Sequence, residues 1–137
     1  MRSRILFVSK NKKQSAKQIA EAISQGAKIA NDPVEKHTAV TNVDILFLGC
    51  ELFFGRVPGA MKKMAKKCDP SQVKQVVAFT VGSSPDKTAI PELKAILEPK
   101  GIKVSERHFF SKKKITDAVI KEAKEFGASI ISDNKKG

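Results

Sequence analysis

The 137-residue chain carries 26 Lys plus Arg against 14 Asp plus Glu, a formal net charge of +12, with 41% hydrophobic and 29% charged residues. That composition excludes a disordered chain and suits one domain, residues 1–137, with a real hydrophobic core. No apolar run approaches the ~20 residues of a membrane span, and the start lacks the regions of a secretion signal, so a cytoplasmic protein is expected.

The first buried strand is Ile5-Leu6-Phe7-Val8, ending at the hydroxyl of Ser9. A polar, Lys-rich turn follows, then a helix on which Ala16, Ile19, Ala20 and Ile23 recur at helical spacing. Ser15 and Gln18 match a capping box, which predicts a helix start near residue 16 and a stop near Gly26. Residues 27–30 are expected to form a short second strand, and residues 31–42 a loop. Residues 44–48, Asp-Ile-Leu-Phe-Leu, form a third strand ending at Gly49, and a helix is expected from Pro58 to Lys67. Residues 76–81 form a fourth strand, closed by Gly82-Ser83-Ser84-Pro85. A helix bearing Ile90, Leu93, Ile96 and Leu97 follows, ending near Pro99 and Gly101. Residues 102–109 alternate as an edge strand should. The last helix presents Ile115, Val119, Ala123, Phe126 and Ile130 on one face, and residues 135–137 are expected to fray. Five strands alternating with helices predict an α/β fold with a parallel sheet covered on both faces.

In such a sheet ligands bind beyond the carboxyl ends of the strands, where strand order reverses. Three loops end there. The first combines Ser9, Asn11, Gln14 and Ser15 as donors with Lys10, Lys12 and Lys13 at a helix start, a natural anion socket. The second, Gly49-Cys50-Glu51-Leu52-Phe53-Phe54-Gly55-Arg56-Val57-Pro58, carries two aromatics where burial is not obligatory. The third, Thr80-Val81-Gly82-Ser83-Ser84-Pro85, has small residues that permit close approach of a flat ligand. Cys50 sits at a strand end facing the crevice, and Cys68 is too distant for a disulfide, so free thiols are expected. His37 and His108 have no visible carboxylate or cysteine partners and receive no catalytic role.

With these loops the chain resembles the flavodoxin family over almost its whole length. Residues 48–58 look like that family's loop of Leu-Gly-Thr-Pro-x-Tyr-Phe-Gly-x-x-Pro type. The resemblance implies a three-layer sandwich with a five-stranded parallel sheet in the order 2-1-3-4-5, and non-covalently bound FMN. The first loop would take the phosphate, through Ser9, Lys10, Asn11, Lys12, Lys13, Gln14 and Ser15. Cys50, Glu51, Leu52, Phe53, Phe54 and Gly55, with Thr80, Val81, Gly82 and Ser83, would flank the isoalloxazine ring. The chain departs from the family in three places. Its first loop lacks the glycine of the Thr/Ser-x-Thr-Gly-x-Thr pattern, with Lys12 and Lys13 in that region. Only Phe is offered where Tyr or Trp usually stacks, and the polar stretch after Ala30 matches a regular second strand poorly.

The implied function is that of an FMN-binding electron carrier acting between redox partner proteins, as a monomer or weak dimer. The positive charge favours acidic partners. No nucleic-acid motif is present, and without Trp or Tyr base stacking would fall to Phe alone. The alternatives are an FMN-dependent reductase of quinones or similar acceptors, and a degenerate fold without FMN that serves as a binding module.

Overall fold

The computed structural model describes residues 2–36, 40–83 and 89–136, with residues 135 and 136 described for their backbone only. His37 and the part of the third loop formed by Ser84, Pro85 and Asp86 lie outside the described residues. In chain order the elements are β1 (Ser3–Val8), α1 (Ser15–Ala27), β2 (Asn31–Pro33), β3 (Val43–Glu51), α2 (Gly59–Lys67), β4 (Val73–Gly82), α3 (Ala89–Leu97), β5 (Lys103–Val104), β6 (Phe109–Lys112) and α4 (Asp117–Lys136). Short 3₁₀ turns follow β2 and α3.

The sheet is parallel throughout in the order β2-β1-β3-β4-β5, with β6 also pairing β4. It is a flavodoxin-like α/β arrangement. Strands β1, β3 and β4 read as near-continuous apolar runs because both of their faces are covered. Leu6, Val8, Leu48 and Val76 face the core with Met61, Leu93 and Leu97, under α2 and α3. Ile5, Phe7, Phe47 and Phe79 face the other core with Ile19, Ile23, Ala123 and Ile130, under α1 and α4. On that side α1 and α4 approach very closely. A Cβ on Gly26 would lie 1.9 Å from the Lys124 carbonyl oxygen, and one on Gly127 would lie 2.7 Å from the Ile23 carbonyl oxygen. Gly26 is thus a packing residue inside α1 and not its terminator. The helix ends one residue later, with Lys28 in the left-handed conformation at φ 59°.

Three local expectations need correction. The second strand is Asn31–Pro33 and not residues 27–30. It is polar because it lies at the sheet edge, where backbone pairing to Ile5, Leu6 and Phe7 and the Arg4–Asp32 ion pair at 2.7 Å hold it. The edge strand expected at residues 102–109 is split. From Val104 to Phe109 is five steps while their β4 partners, Val76 and Phe79, are three apart, so two extra residues bulge out. The Ser105 amide still donates to the Val76 carbonyl at 2.9 Å, and Arg107 ties the bulge to α4 through Ser129 and Asp133. Finally, α4 begins after Ile115, which packs against the core from the preceding loop.

Cys68 closes α2 in a buried position, its Sγ donating to the Met64 carbonyl at 3.5 Å. Burial pushes its thiol from 9.0 up to about 11, opposed weakly by nearby Lys100. The unfolded chain releases this proton at lower pH than the folded one does. The associated stability is therefore full below pH 9 and is lost as pH rises toward about 11. The difference corresponds to about 2–3 kcal/mol. Denaturant melts at pH 8 and pH 10.5 should show this loss in the wild type, and a smaller loss in Cys68→Ala.

Candidate functional site

The carboxyl ends of β1 and β3 lie side by side, Val8 opposite Cys50, and β1 has β2 on its other flank. Here strand order reverses and a crevice opens. Period-two alternation along β3 sends Leu48 and Cys50 to the α2–α3 face, and Phe47, Gly49 and Glu51 to the face covered by α1. Glu51 therefore points at the N-terminus of α1. It is 9% exposed.

Its carboxylate fills the anion socket. Oε1 accepts from the Lys10 amide at 2.6 Å and the Asn11 amide at 3.3 Å. Oε2 accepts from the Ser9 hydroxyl at 2.5 Å and from the Ala16 amide at 2.7 Å. The remaining N–H groups at the helix start are satisfied as well. Ser15 N donates to Asn11 Oδ1 at 3.0 Å, Lys17 N to Ser9 Oγ at 3.3 Å, and Gln18 N to the Gln14 carbonyl at 3.0 Å. Every donor that a helix N-terminus offers an anion thus has an acceptor within the chain.

The expected capping box does not form. Helix α1 begins at Ser15, and the residue before it, Gln14, is left-handed at φ 50° with no side-chain cap. Asn11 has taken the capping work from four residues upstream, donating through Nδ2 to Ser15 Oγ at 3.0 Å as well as accepting from its amide. Gln18 turns back to donate to the Lys13 carbonyl at 2.9 Å. Ser15 is fully buried and its hydroxyl reaches the Lys113 carbonyl at 3.4 Å, which stitches the first loop to the segment after β6. Lys12 and Lys13 are exposed, and Lys10 Nζ pairs with Glu35 at 3.2 Å.

The second loop forms a tight hairpin, with Phe53 N donating to the Arg56 carbonyl at 2.8 Å and Arg56 N to the Phe53 carbonyl at 2.9 Å. Its central residues, Phe54 and Gly55, have φ of 50° and 76°, the positive pair that a type I′ turn requires. Glycine adopts this without strain. For Phe54 the left-handed conformation costs on the order of 1–2 kcal/mol. The two rings lie 6.0 Å apart, and Phe53 and Phe54 are 61% and 98% exposed. A cavity of about 750 Å³ lies against them, lined also by Val8, Leu52, Pro58 and Ser83.

Not all of the expected ring contacts reach this cavity. Cys50, Thr80 and Val81 are buried in the sheet, so the Cys50 thiol belongs to the core beneath α2 and α3. Leu52 caps Gly82, where an added Cβ would meet its Cδ1 at 3.2 Å. Lys113 lines the cavity and was not legible in the sequence, since the bulge before β6 shifts what the fifth strand presents. No group of three or more potential metal ligands occurs among the described residues.

No protein-family model and no curated protein matches this chain. Solved structures do. A flavodoxin from the domain Archaea aligns over 98% of this chain and 99% of its own, at a TM-score of 0.71 and 17% identity. The oxidised flavodoxin 2 from Bacillus cereus aligns over 97% and 99%, at 0.73 and 12%. A flavodiiron core from Synechocystis covers 98% of this chain with 36% of its own length, at 0.75 and 17%. The fold is flavodoxin-like. At these identities the likeness extends to the fold alone.

The FMN that this fold implies meets two different surroundings. The cavity and the aromatic hairpin fit its flat ring. The socket does not fit its phosphate, because the Glu51 carboxylate already holds the donors, and two like charges ~4 Å apart repel by about 4 kcal/mol at an effective dielectric of ~20.

Asn11 has a clear structural role in this arrangement. Asn11→Ala removes both side-chain bonds to Ser15 and should lower stability by about 1–2 kcal/mol. Urea titration checks this, with an unchanged m-value expected because the compactness of the chain is untouched.

Proposed function

We propose that this chain is a flavodoxin-fold protein whose crevice binds a flat aromatic ligand of the flavin class against the Phe53–Phe54 hairpin, and that it serves electron transfer to protein partners. The observation that carries this reading is the hairpin itself. Phe54 is held in a strained backbone conformation and is almost wholly exposed, beside a cavity at the switch point of the sheet. Strain and exposed aromatic surface both work against stability, so their coincidence at a crevice argues for a ligand that covers them.

Each group would contribute separately. Phe53 and Phe54 would lie on the ligand's ring and keep water from one side of it. Ser83, just after β4, lines the cavity where its polar edge would lie. A bound flavin supplies the electron chemistry. Lys10, Lys12 and Lys13, with Lys112 at the end of β6 and Lys113 and Lys114 after it, form an exposed cationic rim at the same end of the sheet, suited to acidic partners. Among the described residues no helix is long and apolar enough to cross a membrane.

A second reading is favoured by Glu51. With its anion socket filled by its own side chain, the fold could serve as a cofactor-free binding module, the aromatic hairpin meeting a protein partner instead.

Phe54→Gly discriminates between them. It relieves the left-handed strain and should raise stability by about 1 kcal/mol. It also removes a ring contact worth about 1 kcal/mol, weakening flavin binding roughly fivefold. Fluorescence titration with riboflavin, alongside thermal melts, reads both effects. No flavin binding by the wild type would leave the second reading standing.

A further inference from the structure

We infer that Glu51 determines the ligand class of this crevice: it fills the anion socket with the chain's own carboxylate and so excludes phosphorylated ligands, leaving the cavity to aromatic ligands that carry no phosphate. The aromatic half of this statement rests on the reading above. The exclusion of phosphate stands on the socket alone.

Four groups, the Ser9 hydroxyl and the amides of Lys10, Asn11 and Ala16, converge on the two oxygens of Glu51. Three come from the loop that leaves β1 and one from the first turn of α1, so they converge where a helix N-terminus holds an anion. A phosphate cannot share that place. To enter, it would have to expel a buried carboxylate from its four hydrogen bonds. The neighbouring lysines do not change this. Lys12, Lys13 and Lys113 are exposed to solvent, and Lys10 Nζ is engaged by Glu35. The register also leaves little freedom, because Glu51 is the last residue of β3, paired with Val81 of β4, and cannot swing with a loop.

Removing the side chain should therefore uncover a working anion site built from backbone groups that are already placed. The full chain, Glu51→Ala and Glu51→Gln are titrated with FMN and with riboflavin, and their melting temperatures are followed with inorganic phosphate at constant ionic strength. The wild type is expected to bind FMN no better than riboflavin, and phosphate should leave its melting temperature unchanged. In Glu51→Ala phosphate should raise the melting temperature, and the preference for FMN over riboflavin should increase at least about tenfold, since charge-assisted bonds to the phosphate are gained. Glu51→Gln should show a smaller phosphate response, because its carbonyl oxygen still accepts while its charge is gone. If circular dichroism shows Glu51→Ala unfolded, the phosphate response of Glu51→Gln decides.

A wild type that already prefers FMN tenfold, or that phosphate stabilises as strongly as it does the variants, overturns the inference. Absence of flavin binding in every protein refutes the aromatic reading. The phosphate melts then still decide whether Glu51 closes the socket.

Discussion

The contact between the Glu51 carboxylate and the N-terminus of α1 is the interaction on which the rest of this site depends. It joins three elements at one point: the end of β3, the end of β1 through Ser9, and the helix that covers them. Taking a carboxylate out of water costs several kcal/mol, and this cost is offset only because four donors converge on it at the positive end of a helix. Deleting one partner of such an arrangement is worse than never having built it, since the donors left behind stay buried. The first loop can thus be long, basic and free of glycine. Its shape is dictated by an internal anion, with Asn11 and a left-handed Gln14 steering the chain into the helix.

Much of the fold was legible because its signals are strong. Buried apolar runs gave β1, β3 and β4, and helical periodicity gave α1 and the faces of α3 and α4. What was missed has local physical causes. Strand β2 carries no apolar pattern, since at the sheet edge its backbone does the pairing. The helix stop near Gly26 was right to within one residue, but the reason for the glycine, the close approach of Lys124 on α4, is tertiary. The Ser15–Gln18 box lost to Asn11, a competitor that appears only when the turn is folded. The two-residue bulge between β5 and β6 leaves the apolar pattern of the segment almost intact, so nothing in the sequence announces it.

Glu51 is the instructive case. It was read as part of a ring-contacting loop, at the position where the resembling family has proline. Alternation along the third strand would have placed it on the same face as Phe47 and Gly49, beneath the first helix. An acid at the end of a buried strand, aimed at a helix start, is a signal that residue type and register together could have given. The Phe54-Gly55 pair was more accessible, because a type I′ turn needs positive φ at both of its central positions and glycine supplies only one of them without strain.

Charge magnitudes decide how the two halves of the crevice differ. The chain is strongly basic, and six lysines, of the first loop and of the end of β6 with the two residues after it, are exposed near its mouth. Net charge alone would make this an anion site. Exposed lysines, however, act through water and salt over a Debye length of about 8–10 Å and are individually worth less than about 1 kcal/mol. The buried carboxylate acts at hydrogen-bond distance, where like-charge repulsion is several times larger. The rim can therefore gather acidic molecules to this end of the sheet, while Glu51 decides that their charge does not enter the socket. What remains open is the apolar half, where the exposed rings of Phe53 and Phe54 present surface that a flat ligand can cover.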